Sequence, residues 1–574
     1  MTCIRRLVLL STAVCVATAG LQAQAGRPAG ADTIDIASLK TWLTYLASDE
    51  LQGRQVYSEG LGLAASYIAD HLQRWGVEPA GDDGSYFQTV RVLGVRSNSR
   101  SSVTIVAGGE RRTFKDGEGI TLPANMGGRQ TVRGEEVEFL GYGLQVPASG
   151  IDDYEEIDVR GKVVVWLGAA GPRDAGTGIG RLLAARSQFA IGQGAAAVIA
   201  PGAGRAGASR GSGAPQPPRG RRQGPQADFT TAQRYDRPVA PIVSAQDEFL
   251  EFLFSRSPVG YQELKEMADR QEPLPRFPLS GVTLIFEIDP EYSVVNTRLS
   301  RNVVGLVRGA DPALAGTYVS FGAHYDHIGY QQASPTGGAT GGGGATGGVG
   351  FGCQGQGRPT PRPDDIVYNG ADDDGSGTVA LMAIARAFAD GSTPRRSMLF
   401  IWHTGEESGL QGSRYNADFP VVPNEDVVAH LNMDMIGRNR CDDPAEANTV
   451  YLVGSDRIST ELHNLSEDVN TGMPEPMRLD YDMNDPGDPQ SLYTRSDHYS
   501  YAAKGIPVIF YTTGLHADYH YVTDEIDRIE FEKLVRVARL VYLTGQRLGT
   551  LERPPARDNR GPRAGRGASG QLTP

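Results

Sequence analysis

The stretch Thr317-Tyr-Val-Ser-Phe321 indicates the fold most directly, because it is a short apolar run followed almost directly by the polar group His324-Tyr-Asp326. Similar runs recur later in the chain, with helix-forming segments between them. These runs are Asn302-Val-Val-Gly-Leu-Val, Ser397-Met-Leu-Phe-Ile-Trp, Val427-Val-Ala-His-Leu, Thr449-Val-Tyr-Leu-Val and Ile506-Pro-Val-Ile-Phe-Tyr. Strands that are apolar throughout are typical of a sheet covered on both faces. The pattern predicts an α/β fold whose mostly parallel or mixed sheet has helices on both faces.

The chain before this region divides into two kinds of segment. Leu39, Trp42, Leu43 and Leu46 have the i, i+3, i+4, i+7 spacing of an amphipathic helix, and residues 64–75 repeat it. Short β-like runs then dominate residues 93–293. We therefore expect residues 26–92 and 294–552 to form one α/β domain, interrupted by a β-rich insert at 93–293.

Three segments have compositions that disfavour regular structure. Residues 202–226, inside the insert, are rich in Gly, Arg, Pro and Ser, as in a flexible linker. Residues 334–357 contain 12 glycines in 24 positions, and ordering them would cost much conformational entropy. Residues 553–574 form an Arg/Gly/Pro-rich tail for which disorder is expected.

Charge and the first residues narrow the classes of function. The 574 residues carry a formal charge of −13 with no basic stretch in the predicted folded parts, which argues against a nucleic-acid partner. Residues 1–25 combine a basic start, an apolar run and a small-x-small site, and so indicate a secretory signal peptide. No later stretch is apolar enough to span a membrane. The sequence predicts an exported protein, periplasmic or extracellular, of unknown oligomeric state.

Two cysteines remain after removal of the predicted signal peptide, Cys353 and Cys441. Exported proteins meet an oxidising environment. We expect these two cysteines to form a disulfide.

Acidic and imidazole side chains concentrate at the ends of the predicted α/β strands and at one helix start. They are His324, Asp372 to Asp374, Glu406 with Glu407, Asp434 and His520. Open α/β sheets place their ligand crevices at the carboxyl ends of strands. One imidazole and one carboxylate per metal, with Asp372 shared, match the needs of two neighbouring divalent ions. A calcium loop starting at Asp372 is disfavoured, because Ala383 stands where a bidentate Glu is needed.

The neighbours of these residues suggest further roles. Side chains of adjacent residues in an extended chain point to opposite sides, so one of Glu406 and Glu407 can bind metal while the other acts as a general base. Asp326 lies on the same side as His324 and can hold the second ring N–H of that histidine.

The motifs resemble those of the di-zinc exopeptidase family of bacterial zinc aminopeptidases and glutamate carboxypeptidase. The matching stretches are Ala323-His-Tyr-Asp-His, Asn369-Gly-Ala-Asp-Asp-Asp-Gly-Ser-Gly, Thr404-Gly-Glu-Glu-Ser-Gly, Leu431-Asn-Met-Asp-Met and Asp518-Tyr-His-Tyr-Val-Thr-Asp. The insert looks like the protease-associated domain that many members carry.

The resemblance implies a role for each site residue. His324 and Asp434 complete one zinc shell, Glu407 and His520 complete the other, Asp372 bridges, and Glu406 is the general base. It also implies a cis peptide bond between Asp372 and Asp373. The family pattern favours His520 over the nearby His516 as ligand. Asp497 and His498 match another stretch near the site, where they would orient groups or steady an oxyanion.

The sequence leaves several functions open. The resemblance favours an aminopeptidase acting on peptides, but Arg438 could clamp a terminal carboxylate, as a carboxypeptidase requires. A receptor-like protein that has lost its metals and a single-zinc cyclase acting on N-terminal glutamine share the fold.

Overall fold

The computed structural model describes residues 30–146, 149–176, 178–202, 226–332, 340–341 and 358–558. The predicted signal peptide, nearly all of the linker at 202–226 and nearly all of the glycine-rich segment at 334–357 lie outside these residues. The helices are α1 (Ile36–Leu46), α2 (Glu59–Arg74), α3 (Gly180–Gly192), α4 (Asp247–Leu253), α5 (Tyr261–Asp269), α6 (Gly377–Asp390), α7 (Gln411–Asp418), α8 (Thr460–Thr471), α9 (His498–Ala502) and α10 (Phe531–Thr550).

The strands follow in chain order. They are β1 (Glu78–Pro79), β2 (Phe87–Ser99), β3 (Ser102–Ala107), β4 (Glu110–Lys115), β5 (Ile120–Thr121), β6 (Gln130–Gly134), β7 (Val137–Phe139), β8 (Gln145–Val146), β9 (Ile151–Asp152), β10 (Val163–Val165), β11 (Ala197–Pro201), β12 (Phe229–Thr231), β13 (Ile242–Ala245), β14 (Phe277–Pro278), β15 (Val282–Ile288), β16 (Pro290–Val307), β17 (Tyr318–His324), β18 (Gln331–Gln332), β19 (Thr340–Gly341), β20 (Ser397–His403), β21 (Val427–Met433), β22 (Thr449–Val453), β23 (Arg478–Asp480) and β24 (Val508–Thr512).

Within the described residues, a ten-stranded mixed sheet organises the α/β domain. Its order is β12-β2-β16-β20-β17-β21-β24-β22-β23, with β1 paired to β16. Strands β20, β17, β21 and β24 are mutually parallel at the centre. Their carboxyl ends therefore lie along one edge of the sheet, where polar side chains were expected to meet.

Both faces of this sheet are covered, which confirms the predicted α/β class. Along β20, Phe400 and Trp402 join the large core formed with α1, α2, α6 and α10. Leu399 and Ile401 point the other way and pack against residues of α9. This alternation follows from the two-residue period of a strand, and it explains why the whole run is apolar.

The two segments predicted to be helical at the start of the domain form α1 and α2. Each has a side-chain cap: the carboxylate of Asp35 accepts the N–H of Ser38, and the hydroxyl of Ser58 accepts the N–H of Leu61. Such caps satisfy backbone donors that the first turn leaves without partners. Leu39, Leu43 and related apolar residues enter the main core as their spacing predicted.

Two further sheets consist of strands that all lie within residues 102–288. One has the order β14-β7-β10-β11-β13-β5, the other β4-β3-β15-β6. They share a core of their own around Phe139, Phe249 and Phe286. The predicted boundaries near 93 and 293 fall inside β2 and β16, which pair with each other from the main sheet out to residues 99 and 290.

The first residues of the tail differ from the expectation of disorder. Arg553 forms an ion pair with Glu461, 2.5 Å away, and the N–H of Thr460 donates to Asp558. Residues 553–558 therefore lie along α8, because the start of that helix supplies matching polar groups. Residues 559–574 are outside the described part of the chain.

Candidate functional site

The fold brings together most of the residues that the sequence singled out. His324 ends β17, Glu406 and Glu407 follow β20, and Asp434 follows β21. The aspartate run precedes α6, and His520 lies in the loop after β24. The four parallel strands deliver these side chains to one edge of the sheet.

Two clusters of donor atoms share the carboxylate of Asp373. On one side, Nε2 of His324 lies 3.3 Å from Oδ1 of Asp373 and 3.6 Å from Oδ1 of Asp434. On the other side, Nε2 of His520 lies 3.1 Å from Oδ2 of Asp373 and 3.0 Å from Oε2 of Glu407. Donors about 2 Å from one tetrahedral ion stand roughly 3.3 Å apart, so these spacings are those of atoms around a metal.

Buried atoms in both clusters have no hydrogen-bond partner. These atoms include Nε2 of His324, Oδ2 of Asp373 and Oε1 of Glu407. Unpaired buried polar atoms are costly unless a cation satisfies them. Two groups of described residues can hold a metal ion, each with ligand atoms within 4.8 Å of one another: His324, Asp374 and Asp434, and His327, Asp373 and Glu407. The donor set fits divalent metal.

The predicted bridging position is displaced by one residue. Asp372 does not reach both imidazoles: its Oδ1 accepts the N–H of Gly437 at 2.7 Å, and its Oδ2 lies 3.4 Å from Nε2 of His516. Asp373 occupies the shared position instead. The cis peptide bond likewise joins Asp373 and Asp374, not Asp372 and Asp373. Three consecutive aspartates offer equal chemistry, and only the path of the turn determines which side chain faces the imidazoles.

Asp374, the third aspartate of the run, links three backbone segments beside the site through hydrogen bonds. Oδ1 of Asp374 accepts the N–H groups of Gly377 and Met435, and Oδ2 accepts the N–H of His324. This carboxylate thereby joins the start of α6 to the ends of β17 and β21. Its acceptance from the residue three positions later resembles helix capping, and that spacing is the sequence signal that identifies it.

Glu406 and Glu407 have different environments, although they are neighbours. Burial raises the pKa of Glu406 well above its usual range, and the nearby charges of Glu407 and Asp434 add to this effect. Burial also acts to raise the pKa of Glu407, but His520 and His327 outweigh it and lower that pKa to about 2. Glu407 is thus suited to remain an anion, and Glu406 to exchange a proton.

Asp326 supports the site differently from the expectation. The nearer acceptor for Nδ1 of His324 is the backbone carbonyl of Asp326 at 3.1 Å, whereas its carboxylate is 3.8 Å away. That carboxylate accepts the N–H of Glu406 at 3.1 Å. Asp326 therefore fixes both the histidine and the glutamate, through different atoms.

The stretch from Ser496 to His498 lies beside the site. Ser496 donates its hydroxyl to Oδ2 of Asp434 at 2.7 Å. Asp497 is buried, with Oδ2 3.3 Å from Nδ1 of His403. The ring of His498 stacks on Phe510 at 4.6 Å, a contact that fits packing better than oxyanion binding. Ser496 contacts Asp434, but the sequence does not predict this role, because an isolated serine belongs to no recognisable motif.

Arg438 and His516 belong to a layer behind Asp373. Arg438 is 1% exposed, with Nη1 2.8 Å from Asp518 and 3.9 Å from Asp524. Its positive charge is therefore paired with acidic residues inside the protein, and Arg438 is not placed to bind the terminal carboxylate of a substrate. Asp524 accepts the N–H groups of Asp372 and Asp373 and so holds the turn that presents the shared carboxylate.

A small cleft of about 40 Å³ opens beside the two clusters. Its polar lining includes Asp373, Glu406, Asp434 and His520, and Arg495 stands at its wall. Arg495 donates to the hydroxyl of Tyr519, whose ring stacks on His520 at 3.9 Å. The remaining wall is largely apolar and includes Met435, Leu492, Phe510 and Leu515. The cleft combines anionic and apolar surfaces.

Cys441 is disulfide-bonded. Its expected partner, Cys353, lies outside the described residues, so the pairing itself stays a prediction. None of the helices within the described ranges has the length and apolar character needed to cross a bilayer.

A known family model matches the part of the chain that carries the site. Residues 302–544 match the family model described as Peptidase family M28, and this range contains every donor of the two clusters. Glu406, the partly buried carboxylate beside the donors, also lies within the matched range.

Named relatives match part of the chain. Leucine aminopeptidase 1 of Ajellomyces capsulatus (strain H88) is 29% identical over 192 residues, which are 31% of this chain and 46% of that protein. Leucine aminopeptidase 1 of Fusarium vanettenii is 28% identical over 210 residues, 35% of this chain and 51% of that protein. The chain thus spans about half the length of these relatives. The aminopeptidase from Aneurinibacillus sp. strain AM-1 is a solved structure with 16% identity and a TM-score of 0.41, and the match covers 93% of this chain and 97% of that one.

Proposed function

We propose that this chain is an exported zinc aminopeptidase that holds two zinc ions and releases N-terminal residues from peptides. The observation that carries the proposal is the carboxylate of Asp373 standing between two imidazole-carboxylate clusters, with Glu406 in the same cleft. His324 and Asp434 would hold one zinc, Glu407 and His520 the other, and Asp373 both. Bound zinc polarises a carbonyl and makes water acidic enough to attack near neutral pH.

Glu406 is the residue assigned to move the proton. It lies in the cleft, and its raised pKa allows it to take a proton from the attacking water and give it to the departing amine. Asp326 accepts the backbone N–H of Glu406, and this contact orients the residue without neutralising its carboxylate.

The cleft suits the end of a peptide that carries a free amine. Its carboxylates attract an ammonium group, and its apolar wall around Met435, Leu492 and Phe510 accommodates an apolar side chain. The names of the relatives, leucine aminopeptidase, agree with an apolar first residue. We expect leucine and methionine anilides to be better substrates than those of aspartate or lysine.

A second candidate, a carboxypeptidase, rests on Arg495. This arginine lines the cleft, and an arginine can bind a terminal carboxylate through two hydrogen bonds. Arg495→Gln should leave hydrolysis of leucine anilide within a few-fold of wild type if the chain is an aminopeptidase. Loss of cleavage of N-blocked dipeptides by at least about 10-fold in the same variant, with wild type active on them, would favour the carboxypeptidase.

The decisive test is to count zinc in the purified protein and to assay anilides, free peptides and N-blocked dipeptides with and without chelator. Two zinc ions per chain and chelator-sensitive release of N-terminal residues are expected. Activity on blocked dipeptides alone would replace the proposal with the carboxypeptidase. One zinc with cyclisation of N-terminal glutamine would indicate the cyclase, and absence of both metal and hydrolysis a binding protein.

A further inference from the structure

His327 is buried beside Glu407. It is 1% exposed, and its Nδ1 lies 2.9 Å from Oε1 of Glu407 and 3.9 Å from Oδ2 of Asp373. The other oxygen of Glu407, Oε2, faces Nε2 of His520 at 3.0 Å. The two oxygens of one carboxylate thus face two different imidazoles.

The ring of His327 is held firmly in this place. Its backbone N–H donates to the carbonyl of Arg54 at 3.1 Å. Behind the ring stands Gly370, where an added Cβ would lie 2.6 Å from the imidazole, so no larger residue fits without movement. The buried Arg54 donates to the carbonyls of Tyr325 and Gly370, both at 2.9 Å. These bonds join the two backbone segments that enclose His327.

We propose that His327 is a positioning residue for Glu407. A ligand carboxylate can rotate and can offer a metal one oxygen or both. An imidazole nitrogen 2.9 Å from Oε1 limits that freedom and leaves Oε2 directed at the side where His520 lies. Ligands of metals are commonly oriented in this way by a second layer of groups, and loss of such a group typically costs about 10- to 100-fold in metal affinity.

The proposal rests on the proposed function, because it concerns how one of the two zinc ions is held. It adds a residue to the five donors and the base, and it assigns that residue to one metal only. Loss of His327 should weaken binding of the zinc next to Glu407 and leave binding of the zinc held by His324 and Asp434 unchanged.

The test uses two amides that place their nitrogen differently. In His327→Asn the amide nitrogen takes the position of Nδ1, whereas in His327→Gln it takes the position of Nε2. Full-length protein is titrated with zinc against a competing chelator, and zinc is counted after dialysis. We expect the Asn variant to bind both ions within about 3-fold of wild type, and the Gln variant to bind one of them about 10- to 100-fold more weakly.

Cobalt provides a readout independent of activity. In the cobalt-substituted Asn variant, the visible absorption bands should keep their wild-type positions, because no ligand has changed. A shifted band would show that the imidazole binds the metal itself, and would overturn the positioning role. Equal zinc affinities for the Asn and Gln variants would also overturn it.

The controls separate this inference from the proposed function. His463, in α8, is a buried histidine whose Nδ1 lies 2.9 Å from the hydroxyl of Ser455, and His463→Asn and His463→Gln should leave both zinc affinities unchanged. If wild-type protein binds no zinc, the proposed function fails. If wild type binds two ions and both His327 variants bind them equally well, only the role of His327 fails.

Discussion

If the chain holds the two zinc ions proposed above, replacing Asp373 by asparagine should weaken the binding of both, whereas the same change at Asp372 should leave it unchanged. The shared carboxylate contacts the His324 cluster at 3.3 Å and the His520 cluster at 3.1 Å, so one substitution removes a charged ligand from two sites. Removing a ligand should lower zinc affinity by more than about 100-fold, which is the upper end of the range for groups that only orient ligands. A 100-fold loss of affinity corresponds to about 2.7 kcal/mol of binding free energy per ion, so the combined loss for two ions should exceed about 5 kcal/mol.

The control for this prediction is a neighbour in the same run. Asp372→Asn retains an oxygen that can accept the N–H of Gly437, so the turn should keep its shape and the protein its zinc. Zinc is counted by mass spectrometry after dialysis against a chelator, and leucine anilide hydrolysis is measured in parallel. Full zinc content in Asp373→Asn together with loss in Asp372→Asn would refute the assignment of the shared ligand.

Two further predictions concern Glu406 and Glu525. Glu406→Gln should retain both zinc ions and lose about 10²- to 10⁴-fold in kcat, since it removes the proton carrier but no ligand; zinc loss would instead make Glu406 a ligand. Burial raises the pKa of Glu525 to about 7. The folded state therefore binds more protons than the unfolded state between about pH 4.5 and 7. The contribution of Glu525 to the free energy of unfolding falls as the pH rises through that window. Glu525→Gln should therefore raise the Tm at pH 8 and leave it nearly unchanged at pH 4; an equal rise at both pH values would contradict this cause.

The predicted ligands differ in how far their sequence context could locate them. His324, Glu407 and Asp434 each stand at or just after the end of a largely apolar strand, and a strand of known direction leaves little freedom for the residue at its end. His520 is eight residues beyond β24, in a loop, and only the resemblance separated it from His516. The structure turns His520 toward Asp373 and Glu407, and His516 toward Asp372.

The supporting residues were harder to predict. Asp374, Ser496 and Asp524 act through hydrogen bonds to groups distant in the sequence, such as the N–H of His324 and the carboxylate of Asp434. A single polar residue in a turn has many possible partners. Arg438 has the right chemistry for a carboxylate clamp, but its burial beside Asp518 and Asp524 commits that charge to the protein interior.

The sequence alone predicted the α/β class, six of the ten strands of the main sheet (β16, β17, β20, β21, β22 and β24) and the edge where the donors gather. These follow from local periodicity and from the direction of parallel strands. Only the folded chain shows that Asp373, not Asp372, is shared, and that His327 faces Glu407. The physical reason is that a turn aims its side chains through backbone angles fixed by distant contacts, and identical letters in a row carry no information about those angles.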